Sequence, residues 1–356
     1  MAIPTAKSHL LILSLLISTA VACASGECEA DSSRGCHDKS KALHLKLIAI
    51  PTILVASMVG ICLPLFTRSV KSLSPDTDLF LIVKAFSSGV ILATGYMHVL
   101  PDSFDDLKSE CLPRNPWKYP FTTLVAMVAA VLTMMVDSFA LCYYRKKDRE
   151  IKEECRRKRK TNVELGQNCS NGNDNDKLND SGTVDDQEVE DKAATLLRHR
   201  VVAQVLELGI VVHSVVIGLS MGASDNPCTI RPLVAALCFH QLFEGMGLGG
   251  CILQAEYGAK MKAIMVFFFS ATTPFGIALG IGLSNIYSEN SPAALIVVGV
   301  LNATSAGLLN YMALVDLLAH EFFGNRKLLE SMELQMWAYL AVFSGAGGMS
   351  LMAKWA

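Results

Sequence analysis

His240 and Glu244 stand four residues apart in the stretch FHQLFEGMG. On a helix that spacing puts both on one face, about a turn from each other. A neutral imidazole beside a carboxylate suits a first-row divalent ion such as Zn²⁺ or Fe²⁺. His213 and Ser214 fall at a similar depth in the preceding apolar stretch. Two neighbouring helices can therefore supply two imidazoles and a carboxylate to one ion. Gln241 and Ser214 can add oxygens or steady the ligands from behind. The same residues without a metal would form a polar network between helices.

The elements that must hold these groups are long and apolar. Val201 to Gly222 is hydrophobic apart from Gln204, Glu207, His213, Ser214 and Ser220. Leu233 to Ala255 carries His240, Gln241 and Glu244 in an apolar frame. Runs of about 20 such residues cross a bilayer. Ionisable groups at that depth cost several kcal/mol unless paired, so by default they mark a functional site inside the bundle.

The rest of the chain has the same character. Of its 356 residues 51% are hydrophobic and 18% charged, where a soluble domain carries about 25% charged residues. Eight spans are predicted, at 45–66, 79–100, 121–143, 200–222, 233–255, 262–286, 293–315 and 334–353. The class is all-α and polytopic. Lys84 and His98 lie within the second span, which is therefore no ordinary lipid-facing helix. Gly218 and Gly222 are four apart, as are Gly276 and Gly280, a spacing that lets membrane helices approach closely. Eleven cysteines occur without any paired CxxC spacing, which excludes a zinc-finger chain.

Five segments follow. Residues 1–24 are expected to be a signal peptide, with an apolar run from Leu10 and candidate cleavage sites at Ala20-Val21-Ala22 and Ala22-Cys23-Ala24. Residues 25–44 form an extracellular segment in which Cys28 and Cys36 can pair in an oxidising compartment. Residues 45–144 hold helices one to three. Residues 145–198 read as a cytosolic, disordered loop, opening RKKDREIKEECRRKRK and then turning polar and acidic. Residues 199–356 hold helices four to eight and the metal site. Basic residues concentrate in alternate loops, at Arg145 to Lys160, Arg198, Arg200, Lys260, Lys262, Arg326 and Lys327. That bias places those loops in the cytosol and both termini outside. The basic run sets orientation or touches anionic lipid; nucleic acid is not an expected partner.

The paired stretches His213-Ser214-Val-Val-Ile-Gly218 and His240-Gln241-Leu-Phe-Glu244-Gly245 resemble the signature of the ZIP (Zrt/Irt-like) divalent-metal transporters. Gly95-Tyr-Met-His98-Val-Leu-Pro-Asp102-Ser-Phe and Ala313-Leu-Val-Asp316-Leu-Leu-Ala look like the plant branch of that family, near its iron-regulated members. The resemblance covers the whole mature chain. It implies a ZIP-type bundle working by alternating access, with His213, His240 and Glu244 as transport-site ligands and Ser214 and Gln241 as flanking polar positions. Many relatives carry a carboxylate where this chain has Ile217, so the site looks mononuclear. His98 and Asp102 match positions near the outer mouth. Asp105 or Asp106, and Asp137, correspond to acidic positions linked with choice of metal. Glu207 is either a pathway residue or an interhelical hydrogen-bond partner. The long loop departs from many relatives in having no histidine before His199.

The expected function is plasma-membrane uptake of zinc or iron, with manganese or cadmium as further candidates and a homodimer as a candidate assembly. The ion is the cargo, and no cofactor is implied. Two other classes compete. An intramembrane metal-dependent hydrolase would need Glu244 as general base, and a metal sensor would bind without flux. His320-Glu321-Phe-Phe-Gly324 lacks the second histidine of HExxH, and no P-loop occurs, so neither a zinc protease nor direct use of ATP is suggested.

Overall fold

The computed structural model describes residues 38–67, 77–164, 182–284 and 291–353. The predicted signal peptide, the Cys28 and Cys36 pair and the middle of the long loop lie outside the described residues. Cys111 and Cys228 are each disulfide-bonded.

The chain is helical throughout its described length. In order it runs α1 (Lys39–Thr67), α2 (Asp78–Thr94), a π-helical turn π1 (Gly95–Val99), α3 (Leu100–Leu107), a short α4 (Arg114–Trp117), α5 (Phe121–Glu164), α6 (Gly182–Ala223), α7 (Pro227–Gln254), α8 (Ala259–Leu283), α9 (Pro292–Tyr311), a second π segment π2 (Met312–Ala319), α10 (His320–Gly324), α11 (Arg326–Glu330) and α12 (Met332–Ala353). Eight helical stretches are long and apolar enough to span a bilayer, α2–π1–α3 forming one of them and α9–π2–α10 another. All eight overlap the predicted spans. The second and seventh run on to Leu107 and Gly324, beyond the predicted ends, each continuing through a π segment. Helix α5 also continues past its apolar part through the basic run to Glu164, where Glu, Lys and Arg are good helix formers.

Burial separates the spans into central and peripheral ones. Within an 18-residue apolar window of Thr195–Ala223, Pro227–Gln254 and Asp78–Leu107, 83%, 72% and 67% of the residues are buried, against 17% for Phe121–Tyr143. The three most enclosed spans are those that carry His213, His240 and His98. Packing divides the bundle into two sets of four: α1, α6, α7 and α8 against one another, and α2–π1–α3, α5, α9–π2–α10 and α12 likewise. The sets meet along a seam formed by α2 on α7, α9 on α6 and α5 on α6.

Glycines make the first set tight. A Cβ on Gly218 would lie 3.0 Å from the Gly276 Cα, and one on Gly222 only 2.8 Å from the Gly280 Cα. The two glycine pairs noted in the sequence thus face each other, so that α6 and α8 touch through their backbones. Helices α6 and α7 are joined by residues 224–226 alone, which makes them antiparallel neighbours. Asn226 caps α7 by accepting from the Cys228 and Thr229 N–H groups, and Pro227 opens the helix.

Candidate functional site

The short α6–α7 connection sets the depth of the two motif histidines. His213 lies ten residues before Ala223 and His240 thirteen after Pro227, about 15 and 20 Å along their helices at 1.5 Å per residue. They therefore meet near mid-bundle, where their ring centres are 5.9 Å apart. Both are 1% exposed.

A third imidazole joins them across the seam. His98 is 6% exposed, and its ring centre is 5.8 Å from His213 and 6.0 Å from His240. The resemblance implied a place near the outer mouth for His98; the structure puts it among the motif histidines. The π turn brings it there. Pro101 has no N–H to return to Met97, and the Leu100 N–H reaches back five residues to the Gly95 carbonyl. A Cβ on Gly95 would fall 2.1 Å from Asn310 Oδ1, so only glycine lets α9 come this close.

The three ring centres form a nearly equilateral triangle. An ion at its centre would sit about 3.4 Å from each, and an imidazole-bound zinc sits roughly 3.2 Å from its ring centre when Zn–N is near 2.1 Å. The spacing fits one ion. The donor atoms do not yet converge, since among the described residues no three His, Cys, Asp or Glu side chains form a ready-made cage.

The polar atoms here lack partners in the protein. His98 Nε2, both nitrogens of His213, His240 Nδ1, both oxygens of Glu244 and Gln241 Oε1 are buried without a hydrogen bond. Thr94 lies beside Glu244, but its hydroxyl donates to the Val90 carbonyl at 3.0 Å. A wholly buried carboxylate without a partner costs several kcal/mol, and native interiors rarely tolerate one. A dication would satisfy the carboxylate and the imidazoles together.

Gln241 occupies a different position. Its Nε2 contacts Thr273 Oγ1 of α8 and lies 3.5 Å from Ser214 Oγ. This amide and its hydroxyls tie α6, α7 and α8 together behind the histidines. Ile217, at 8% exposed, packs with Ile53, Met221 and Leu237 in an apolar cluster, so its position offers no donor for a second ion.

The remaining predicted residues are dispersed. Asp102 is half exposed, one turn beyond His98, with Oδ2 3.8 Å from His98 Nδ1. Asp106 accepts from Asn302 Nδ2 at 3.4 Å. Glu207 is completely buried on α6, two turns from His213. Asp137 is away from the histidines, accepting from Tyr311 Oη at 3.5 Å. Thr94 and Thr273 have no counterpart among the residues predicted from the sequence. Thr94 precedes His98 by four, the same spacing that singled out His240 and Glu244, and could have been found that way; nothing local points to Thr273.

Eight apolar spans around a buried centre lined by oxygen and nitrogen atoms define a polytopic membrane protein. The family model described as ZIP Zinc transporter matches residues 43–353, and the chain belongs to the ZIP family. It is 59% identical to Fe(2+) transport protein 1 of Oryza sativa subsp. japonica, over 94% of this chain and 90% of that protein. It is 57% identical to zinc transporter 7 of Arabidopsis thaliana, covering 93% and 90% of the two chains, and 53% identical to that organism's Fe(2+) transport protein 1, covering 98% and 96%. These relatives are transporters, not enzymes.

Proposed function

We propose that this chain carries a divalent cation, zinc or ferrous iron, across the plasma membrane into the cytosol, and that His98, His213, His240 and Glu244 hold the ion midway. The observation that carries this is the triangle of buried imidazoles with a partnerless carboxylate beside it. The high identity to proteins named for Fe(2+) and zinc transport supports the choice of cargo. Basic residues at the end from which the long loop departs support a cytosolic position for that end, with both termini outside.

The chemistry is a compromise. A dication entering the seam must exchange its water for protein donors, yet be held weakly enough to leave. Neutral imidazoles and a single carboxylate meet both needs. A thiolate cage would hold zinc too firmly, and the described free cysteines Cys62, Cys142, Cys238 and Cys251 form no such cage. Because His98 comes from one helix set and His213, His240 and Glu244 from the other, relative movement of the sets would dismantle the cage and release the ion.

The test is uptake of radiolabelled zinc and iron in a cell deficient in metal uptake. His240→Ala and Glu244→Ala are each expected to abolish uptake while the protein still reaches the surface. Normal uptake by both variants would falsify the site assignment. Competition by manganese and cadmium in the same assay gives the selectivity.

A further inference from the structure

A second buried polar cluster lies on the same seam, at the end where the long loop leaves the bundle. Lys84 of α2 is 6% exposed. Its Nζ contacts Glu321 Oε1 of α10 and donates to Gln254 Oε1 of α7 at 2.8 Å. Arg198 of α6 lies 3.5 Å from Asp316 Oδ1 of π2. Next to these pairs, His199 and His320 meet edge to face with ring centres 5.6 Å apart.

The membership of these contacts decides what they do. Lys84 and Glu321 belong to the same helix set, so their pair anchors the lysine. Lys84 to Gln254 and Arg198 to Asp316 each join one set to the other. They cross the seam that the three imidazoles also cross. Arg198 precedes His213 by fifteen residues and Lys84 precedes His98 by fourteen, about 22 and 21 Å along their helices. Between the two clusters lies a buried apolar layer that includes Ile91, Leu206, Ile210, Leu248 and Leu309. An ion leaving the imidazoles towards this end must wait for the sets to part.

We infer that Lys84–Gln254 and Arg198–Asp316, with Glu321 as the anchor for Lys84, form a latch that keeps the loop end of the seam shut, and that it must open for the ion to pass. What passes depends on the transport proposal above; the closure does not. Losing Glu321 or Arg198 leaves a buried charge, Lys84 or Asp316, without its partner, so the latch holds the sets together in the closed state and loses its contribution once they part and water enters.

Cys251 is a built-in reporter. It is a free thiol, 3% exposed, and lines the same small pocket as Lys84, Arg198, Asp316 and His320. The experiment is maleimide labelling of the full-length protein in membranes opened to the loop side, with the Cys251 peptide quantified by mass spectrometry. Wild type is expected to label slowly. Lys84→Gln and Asp316→Asn are each expected to label at least about fivefold faster, in the usual range of couplings between conformational states. The exchanged pair Lys84→Glu with Glu321→Lys is expected to return the rate towards wild type. Asp316→Asn removes a charge at constant size and carries the test if Lys84→Gln does not fold. Equal rates in wild type and the single variants overturn the latch, as does an acceleration that the exchanged pair fails to reverse. His240→Ala separates the two proposals, because uptake in that variant reads the imidazole site and Cys251 labelling reads the latch.

Discussion

The imidazole cluster and the ion-paired cluster occupy one seam, the second less deeply buried, with the Arg198 side chain 31% exposed, and their electrostatics differ. At the loop end, positive and negative groups answer each other: Lys84 has Glu321 and Gln254, Arg198 has Asp316, and Glu321 also accepts from Asn325 Nδ2 at 3.1 Å. At mid-bundle the polar groups are imidazoles, carboxylates, an amide and hydroxyls, and among the described residues no lysine or arginine pairs with them. His98, His213, His240, Gln241 and Glu244 all keep buried atoms without protein partners. Opposite charges that pair fasten a structure even though Arg198 Nε and Asp316 Oδ2 stay buried without a hydrogen bond, whereas at the imidazoles the protein leaves most of the polar atoms without a partner. A carboxylate near the middle of a membrane span costs about 3 kcal/mol on insertion scales, and among the described residues no lysine or arginine is paired with Glu244 to offset it.

The largest expected effect follows from that asymmetry. Glu244→Ala should reduce zinc uptake by more than about a hundredfold, because it removes the wholly buried carboxylate beside the imidazoles and leaves much of the ion's charge uncompensated in a low dielectric. Thermal stability in detergent should hold or rise in the same variant, since an unsatisfied buried acid is gone. Uptake and melting temperature measured on one preparation check both. A marked fall in stability would mean that Glu244 is a structural pair of the kind seen at Lys84 and Glu321.

His98→Ala comes next, with an expected loss of uptake of about ten- to a hundredfold, the range found when metal sites lose supporting groups. Its effect sharpens the comparison because His98 alone brings the second helix set into the cage. If His98→Ala transports normally, the ion rests within one helix set.

How much of this was legible beforehand depends on the range of the interaction. Helical periodicity is local, and His240 with Glu244, the spans themselves and the helix-packing glycines stood out from it. The pairing of Gly218 with Gly276 could not be read, because each motif announces a close contact without naming its partner. His98 was visible as a histidine in an apolar span but not as a member of the cage. It is 115 residues from His213, and its direction depends on a π turn that Gly95 and Pro101 allow but do not demand. Lys84 was marked as unusual in its span, and Glu321 was set aside as a helix-end residue; that they are partners is a fact of tertiary packing between chain segments 237 residues apart.

The smallest expected effect concerns the group between the two regimes. Ser214 is 2% exposed and adjacent to His213 in sequence, so it can be counted either with the cage or with the scaffold behind it. Its geometry favours the scaffold. Gln241 Nε2 lies 3.5 Å from Ser214 Oγ, and its closer contact is Thr273. Ser214→Ala should therefore cost no more than about 1 kcal/mol, the net value of an ordinary hydrogen bond, and lower uptake about threefold or less. Thr273→Val should cost more, because it strips Gln241 of its nearer partner inside a wholly buried site. If instead Ser214→Ala matches the loss seen in His213→Ala, the hydroxyl is bonding to the ion. The amide and hydroxyl group would then belong with the unsatisfied donors, and the line between paired and partnerless groups would run through α8 instead of in front of it.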